Sequence, residues 1–297
     1  MKKISGIYGL ILAIFAFSVL SGPVQAKGKL KNKLNTVIIK KIELEDADFK
    51  NVIKAVRVKA AEADPEGKGI NIFVKRSVKD VPKLSLFLNN IPLGELIEAI
   101  CMAAELDYEV GDYAIMIGRE IAMKNVFIRF KFPPEKKYTE KDLKKYFEPY
   151  GVEFPKGSSI FYNPKNAKIT MHNTPTNINR LKSAIDQLNM LKPNRYSKNK
   201  YAAINKVLTC VIPKIDFQEA QMITLLKFLK ASSARKDPEK GGLNFVFRPA
   251  TENITVTSVL NDIPVNEALK YFCKAGAFTF NVLPHSIVVF PQVEKKK

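Results

Sequence analysis

The stretch LNNIPLGEL at residues 88–96 constrains the fold more than any other, because the chain writes it twice. It returns 172 residues later as LNDIPVNEA at 260–268. The correspondence runs on in both directions. TVIIKKI at 36–42 answers TCVIPKI at 209–215, DPE at 64–66 answers DPE at 237–239, and GIN at 69–71 answers GLN at 242–244. One residue is lost between Asn244 and Leu260. The two copies span 36–117 and 209–289, about eighty residues each. That is the size of a small domain, and a repeat of this kind fixes the architecture before any single element does.

Inside a copy the apolar residues change period in a readable order. Residues 36–44 are rich in Val and Ile, as a buried strand requires. Asp48 is placed to cap a helix whose apolar face is Phe49, Val52, Ile53, Val56 and Ala60. In the second copy that face is Met222, Leu225, Leu226 and Leu229. Residues 64–69, DPEGKG, break the pattern. They lack the Ser or Thr of a phosphate loop and the carboxylates of a calcium loop, so they read as a surface connection. Short strands at 70–74 and 83–88 follow. A helix then begins near Pro92, with the stripe Leu93, Leu96, Ile97, Ile100, Cys101 and Ala104. A hairpin turning at Gly111-Asp112 closes the copy. The order is βαββαββ, read as one small sheet with two helices on it.

Between the copies lies a different unit. Val126, Ile128, Phe130 and Phe132 alternate with Phe127, Arg129 and Lys131 until Pro133-Pro134 stops the strand. Thr139 and Asp142 suggest a capping box, and Leu143, Tyr146, Phe147 and Tyr150 share the apolar side of that helix. A hairpin around NPKN at 163–166 comes next, then a helix that starts at Thr174-Pro175 and carries Ile178, Leu181, Ile185 and Leu188. This is βαββα. The whole chain is therefore α+β, three small mixed-sheet domains in series: 34–120, 124–191 and 205–291, with a polar linker at 192–204.

The first 26 residues stand apart. Lys2 and Lys3 precede a 14-residue apolar run at 7–20, and VQA at 24–26 fits a small-residue cleavage site. The run is short of the ~20 residues that span a bilayer, so a cleaved export signal is expected ahead of an uncleaved anchor. Pro23 stands where a lipidated Cys would be. Residues 27–33 read as a flexible basic leader, and the closing Lys295, Lys296 and Lys297 as a frayed tail.

Export points to an oxidising compartment, yet three cysteines make no disulfide framework. Cys101, Cys210 and Cys273 each sit in an apolar pattern and read as small buried hydrophobes. The net charge is +19, but only eight of the 48 basic residues are Arg. A Lys-dominated excess reads first as a solvated surface; functional attraction to nucleic acid or an anionic surface is the alternative.

The duplicated module resembles the short N-terminal domain shared by secretins and TonB-dependent receptors. The resemblance rests on IELEDADF at 42–49, LNNIPLGELIEA at 88–99 and LDYEVGDYAIMI at 106–117, echoed between 215 and 289. The middle unit resembles the periplasmic ring domain of secretins, on GVEF, SSIFYN and ITMHN within 151–173. That ring domain has a fold like the RNA-binding KH module, but the Gly-x-x-Gly loop that clamps nucleotides is missing here. The resemblance implies a periplasmic interaction module, which forms stacked rings in secretins and a signalling contact in receptors. Only eight residues follow Val289, so a chain without the secretin or receptor barrel is expected.

Enzyme chemistry finds no support in the residues. His172 and His285 are isolated, no Cys–His pair or Ser triad is spaced for catalysis, and no ligand cluster suggests a metal. No catalytic, cofactor-binding or metal-binding residue is nominated, and no cofactor. The expectation is a non-catalytic protein of the periplasm, possessing protein partners in a secretin- or receptor-type complex of the outer membrane, or associating with itself. The alternative is an envelope protein that binds DNA or an anionic surface through its lysines.

Overall fold

A computed structural model of the chain describes residues 28–119, 123–132, 138–190, 204, 208–235, 237 and 241–292. The expected export signal at 1–26, Pro133-Pro134, the expected linker apart from Ile204, Pro238-Glu239 of the second DPE, and the terminal lysines lie outside the described residues. The described part is α+β throughout.

The N-terminal module opens with α1 (Lys29–Thr36), where the sequence suggested a flexible leader. Its two leucines, Leu30 and Leu34, lie one turn apart and are both buried, a stripe too narrow to stand out among six charged and polar neighbours. Then come β1 (Ile38–Ala47), α2 (Phe49–Ala63), β2 (Asn71–Val74), β3 (Leu84–Pro92), α3 (Leu93–Ala104), β4 (Asp107–Val110) and β5 (Ala114–Gly118). The buried residues of α2 are the five of the sequence stripe. Gly94 is one of the places where the two copies of the motif differ, Asn266 standing in the second. A Cβ at Gly94 would stand 3.0 Å from the Leu34 carbonyl oxygen, a tight contact that glycine avoids where α1 lies against α3.

The middle module is β6 (Lys124–Arg129), α4 (Glu140–Phe147), β7 (Ser159–Asn163), β8 (Lys168–Asn173) and α5 (Pro175–Met190). Its strands form one antiparallel sheet in the order β6-β8-β7. The Thr139 hydroxyl accepts from the Asp142 backbone while the Asp142 carboxylate accepts from the Thr139 backbone, the capping box read in the sequence. Phe130, Phe132, Leu143, Phe147, Ile169, Met171 and Leu181 belong to a core of its own.

The C-terminal module repeats the first order as β9 (Val211–Gln221), α6 (Met222–Ala234), β10 (Phe245–Phe247), β11 (Thr255–Pro264), α7 (Val265–Ala275), β12 (Phe278–Val282) and β13 (Ile287–Pro291). The likeness reaches the backbone angles. Asp46 and Glu219 have φ of 48° and 50°, Asn90 and Asp262 48° and 47°, Glu105 and Ala277 55° and 54°. Left-handed backbone is uncommon outside glycine, so three matched pairs reflect one folding pattern used twice.

Each outer module holds two groups of strands, not the single sheet expected from its strand order. The N-terminal module splits into the antiparallel pair β1–β3 and the mixed sheet β2-β5-β4. In the C-terminal module the pair is β9–β11, and β10-β13-β12 form the second group. The pair and the triple are then joined across modules. β3 bonds to β10, giving a five-stranded sheet in the order β1-β3-β10-β13-β12.

The 64–69 connection does more than cross the surface. Asp64 is buried, accepts a 2.6 Å bond from Lys33 Nζ, and accepts from the backbone N–H groups of Glu66, Lys68 and Gly69. These donors, Lys33 foremost, hold its pKa down to about 2. A carboxyl with a folded pKa below its unfolded value contributes stability above the unfolded pKa, and loses it as pH falls through the folded one. Stability from this site is therefore expected to drop between about pH 4 and pH 2. In Asp64→Asn, chemical denaturation should show a lower midpoint at pH 7 and a shallower fall across that window. An unchanged acid profile would count against the site.

Candidate interaction surfaces

The contact between the outer modules is the most developed surface in the molecule, and it is built by strand addition. Phe245, Val246 and Phe247 of β10 stand opposite Phe87, Leu86 and Ser85 of β3 in an antiparallel ladder. A bare strand edge presents unpaired N–H and C=O groups, and another strand is the natural partner for it. Side chains cross with the backbone. Val246, Val288 and Phe290 complete the core of the N-terminal module, and Phe87 enters the core of the C-terminal one.

Polar groups lock the register. The Asn244 side chain continues the ladder beyond the strand. Its Oδ1 accepts from Asn89 N–H at 2.7 Å, and its Nδ2 donates to the carbonyls of Asn89 and His285, each at 2.8 Å. Glu95, in the first turn of α3, accepts from the His285 backbone N–H and from the Ser286 hydroxyl, both at 2.8 Å. Its second oxygen lies 2.7 Å from His285 Nδ1. Lys230 donates to the carbonyls of Leu243 and Phe87, one on each side of the seam. Burial pushes its pKa down to about 8.

The middle module is wedged against both of the others through α5. Thr176 donates from its backbone N–H to Asp107 at 2.8 Å and from its hydroxyl to the Leu106 carbonyl. Ser183 donates to the Val282 carbonyl at 2.9 Å. Arg180 sits where all three modules meet, and its guanidinium is fully buried. Nη1 donates to the Gly151 carbonyl at 3.0 Å and to Glu153 at 3.1 Å, and Nη2 donates to the Met102 carbonyl at 3.0 Å. The same guanidinium lies 4.9 Å from the centre of the Phe290 ring. Arg248 approaches that ring too, paired with Glu105 at 2.5 Å.

The residues of interest to chemistry are dispersed. His172 bonds to Asn125 on the middle sheet, far in sequence from His285 at the seam. Among the described residues no three His, Cys, Asp or Glu side chains gather to hold a metal. Cys101 and Cys273 are buried in the two outer cores, and desolvation raises both thiol pKa values, that of Cys273 to about 12. Cys210 is half-buried, and none of the three forms a disulfide. No helix among the described residues is long and apolar enough to cross a membrane.

Two further surfaces remain. The outer face of the middle sheet carries exposed Phe127 and Phe161, each opposite Thr170 on β8, with Lys168 Nζ 4.2 Å from the centre of the Phe127 ring. The second is a pair of strand edges. Among the described residues β2 is bonded on one side only, to β5, and β11 on one side only, to β9. The seam residues Asn244, Asn89 and Glu95 escaped sequence reasoning, although a signal was present. Their counterparts in the other copy are Asn71, Asn261 and Glu267, the same residue types.

No protein-family profile and no curated protein matches the chain. Among solved structures it is similar to the Type IV competence pilus secretin PilQ of V. cholerae, at 18% identity and a TM-score of 0.21. That match covers 50% of this chain and 37% of the secretin. It is also similar to the N-terminal domain of the secretin XcpQ from Pseudomonas aeruginosa. One structure, a dimeric S210C mutant, matches at 12% identity over 79% of this chain and 97% of that one, with a TM-score of 0.23. A second matches at 13% identity over 79% and 94%, with a TM-score of 0.22.

Proposed function

We propose that this chain is an exported, non-catalytic assembly protein of the cell envelope, acting in the periplasm by protein contacts beside an outer-membrane secretin-type complex. The observation that carries the reading is the seam. Two modules of one chain recognise each other by adding strand to strand and fixing the register with Asn244 and Glu95. Strand addition is a general route to protein recognition, since the ladder supplies affinity and the flanking side chains supply selectivity. The motif resemblance at 42–49, 88–99 and 106–117 supports the same class of role, with secretin/TonB-type short domains at 34–120 and 205–291 flanking a ring-like domain at 124–191. A photo-crosslinking side chain placed at Phe161 or Phe127 and activated in cells tests it. Recovery of an outer-membrane secretin component is the expected result. Adducts to nucleic acid or cell-wall polymer alone would contradict it.

One observation favours a second reading, binding of a nucleic-acid strand. Phe127 and Phe161 lie exposed on one sheet face with Lys168 and Arg129 beside them, an aromatic and basic pairing suited to stacked bases. This reading predicts binding of single-stranded DNA that weakens steeply with salt and falls at least about 10-fold in Phe127→Ala/Phe161→Ala. Binding that is flat with salt, or indifferent to both substitutions, excludes it.

A further inference from the structure

The internal seam leaves each of its two halves present once more, on the outside of the molecule. β10 pairs with β3; the counterpart of β10 in the N-terminal module is β2, and the counterpart of β3 in the C-terminal module is β11. Neither has a partner strand on that side among the described residues. We propose that β11 of one molecule adds to β2 of the next, so that the chain associates with itself head to tail by repeating its own internal seam. The inference rests on the assembly reading above and names one partner for it, a second copy of this chain.

Exposure follows the correspondence position by position. Val246 and Val288 are buried in the seam; their counterparts Phe73 and Met116 are 63% and 41% exposed. Phe87 is buried; its counterpart Val259 is 57% exposed. Ala99 is buried on α3; its counterpart on α7, Tyr271, is 55% exposed. Large apolar side chains at four such sites are out of place on a lone molecule and in place at an interface.

The register lock is conserved between the two halves of the chain as well. Asn71 already makes the intramodular half of the clasp: its Nδ2 donates to the Tyr113 carbonyl, as Asn244 donates to that of His285. Asn261 stands where Asn89 does, so Asn71 would meet its backbone as Asn244 meets that of Asn89. Glu267 stands where Glu95 does; on the free molecule it pairs with Lys270 at 2.7 Å, and in the interface it would accept from the Tyr113 backbone N–H as Glu95 accepts from that of His285. The expected register sets Ile72 opposite Val259, Phe73 opposite Ser258 and Val74 opposite Thr257. An interface of two different surfaces leaves a free copy of each at the ends, so growth continues until a ring closes or a filament forms.

Sedimentation velocity on the exported chain over a wide concentration range tests this, together with Phe73→Asp and Val259→Asp. Both residues are exposed, so either variant should fold, which circular dichroism checks. The wild type should grow past the dimer, and each variant alone should associate at least about 100-fold more weakly. Mixing the two should give a dimer and nothing larger, because one intact β2 edge remains on one variant and one intact β11 edge on the other. A monomeric wild type at every concentration overturns the proposal, as does association that survives both substitutions. An envelope partner crosslinked to a chain that stays monomeric would leave the assembly reading standing and remove this inference alone.

Discussion

Val246→Asp is expected to part the two outer modules and to lower stability by about 4 kcal/mol. Val246 has no exposed surface, lies at the centre of the three-residue strand β10, and packs in the core of the module to which it does not belong in sequence. A carboxylate there has no cation or donor set to meet it, so it must be buried neutral or the seam must open. Val246→Ala removes the same contacts without a charge and should cost about 1–2 kcal/mol. The counterpart Phe73→Asp, on an exposed edge, should move the unfolding midpoint little. Urea unfolding of the three variants is the check. Equal losses at Val246 and Phe73 would mean that the seam contributes nothing to folding.

Arg180→Ala is expected to cost about 3 kcal/mol, the largest effect of removing any one polar side chain here. The buried Gly151 carbonyl would lose its guanidinium donor, the Met102 carbonyl would keep only a long 3.4 Å bond from the Glu105 N–H, and the Phe290 ring would lose the guanidinium packed on it. Glu153 is less affected, since it is partly exposed and water can solvate it. Arg180→Lys should recover little, because one ammonium cannot reach two carbonyls in a fork and stack on a ring at once. Since Arg180 touches all three modules, the alanine variant should also broaden the transition. A loss under about 0.5 kcal/mol, with a sharp transition, would show that the modules stand without it.

Much of the secondary structure was legible because it obeys local rules. The stripe Phe49, Val52, Ile53, Val56 and Ala60 predicts the buried side of α2 residue for residue. Thr139 and Asp142 announce their capping box, and the repeat supplies the order of elements twice. What stayed hidden was the pairing of strands. Phe245-Val246-Phe247 reads as a short buried strand whichever sheet it joins, since all three side chains are apolar and all three are buried. Alternation tells which face of a strand is covered and is silent on which strand lies beside it. The α1 helix was missed for a related reason, because its two buried leucines find their reason only in α3 and Gly94, some sixty residues on. The seam itself left a trace in the sequence. Asn71 with Asn244, Asn89 with Asn261, and Glu95 with Glu267 keep their identity between the copies.

The central claim is that the two outer modules form one continuous sheet through β3 and β10, and amide hydrogen exchange tests it most directly. Strands that open only with global unfolding exchange at the slowest rate in the molecule. The account predicts that the ladder amides of 85–87 and 245–247 exchange with the same opening free energy as the core strands β1 and β13. Exchange of those amides through a low-energy opening, with β1 and β13 still protected, would contradict it and return the modules to separate domains.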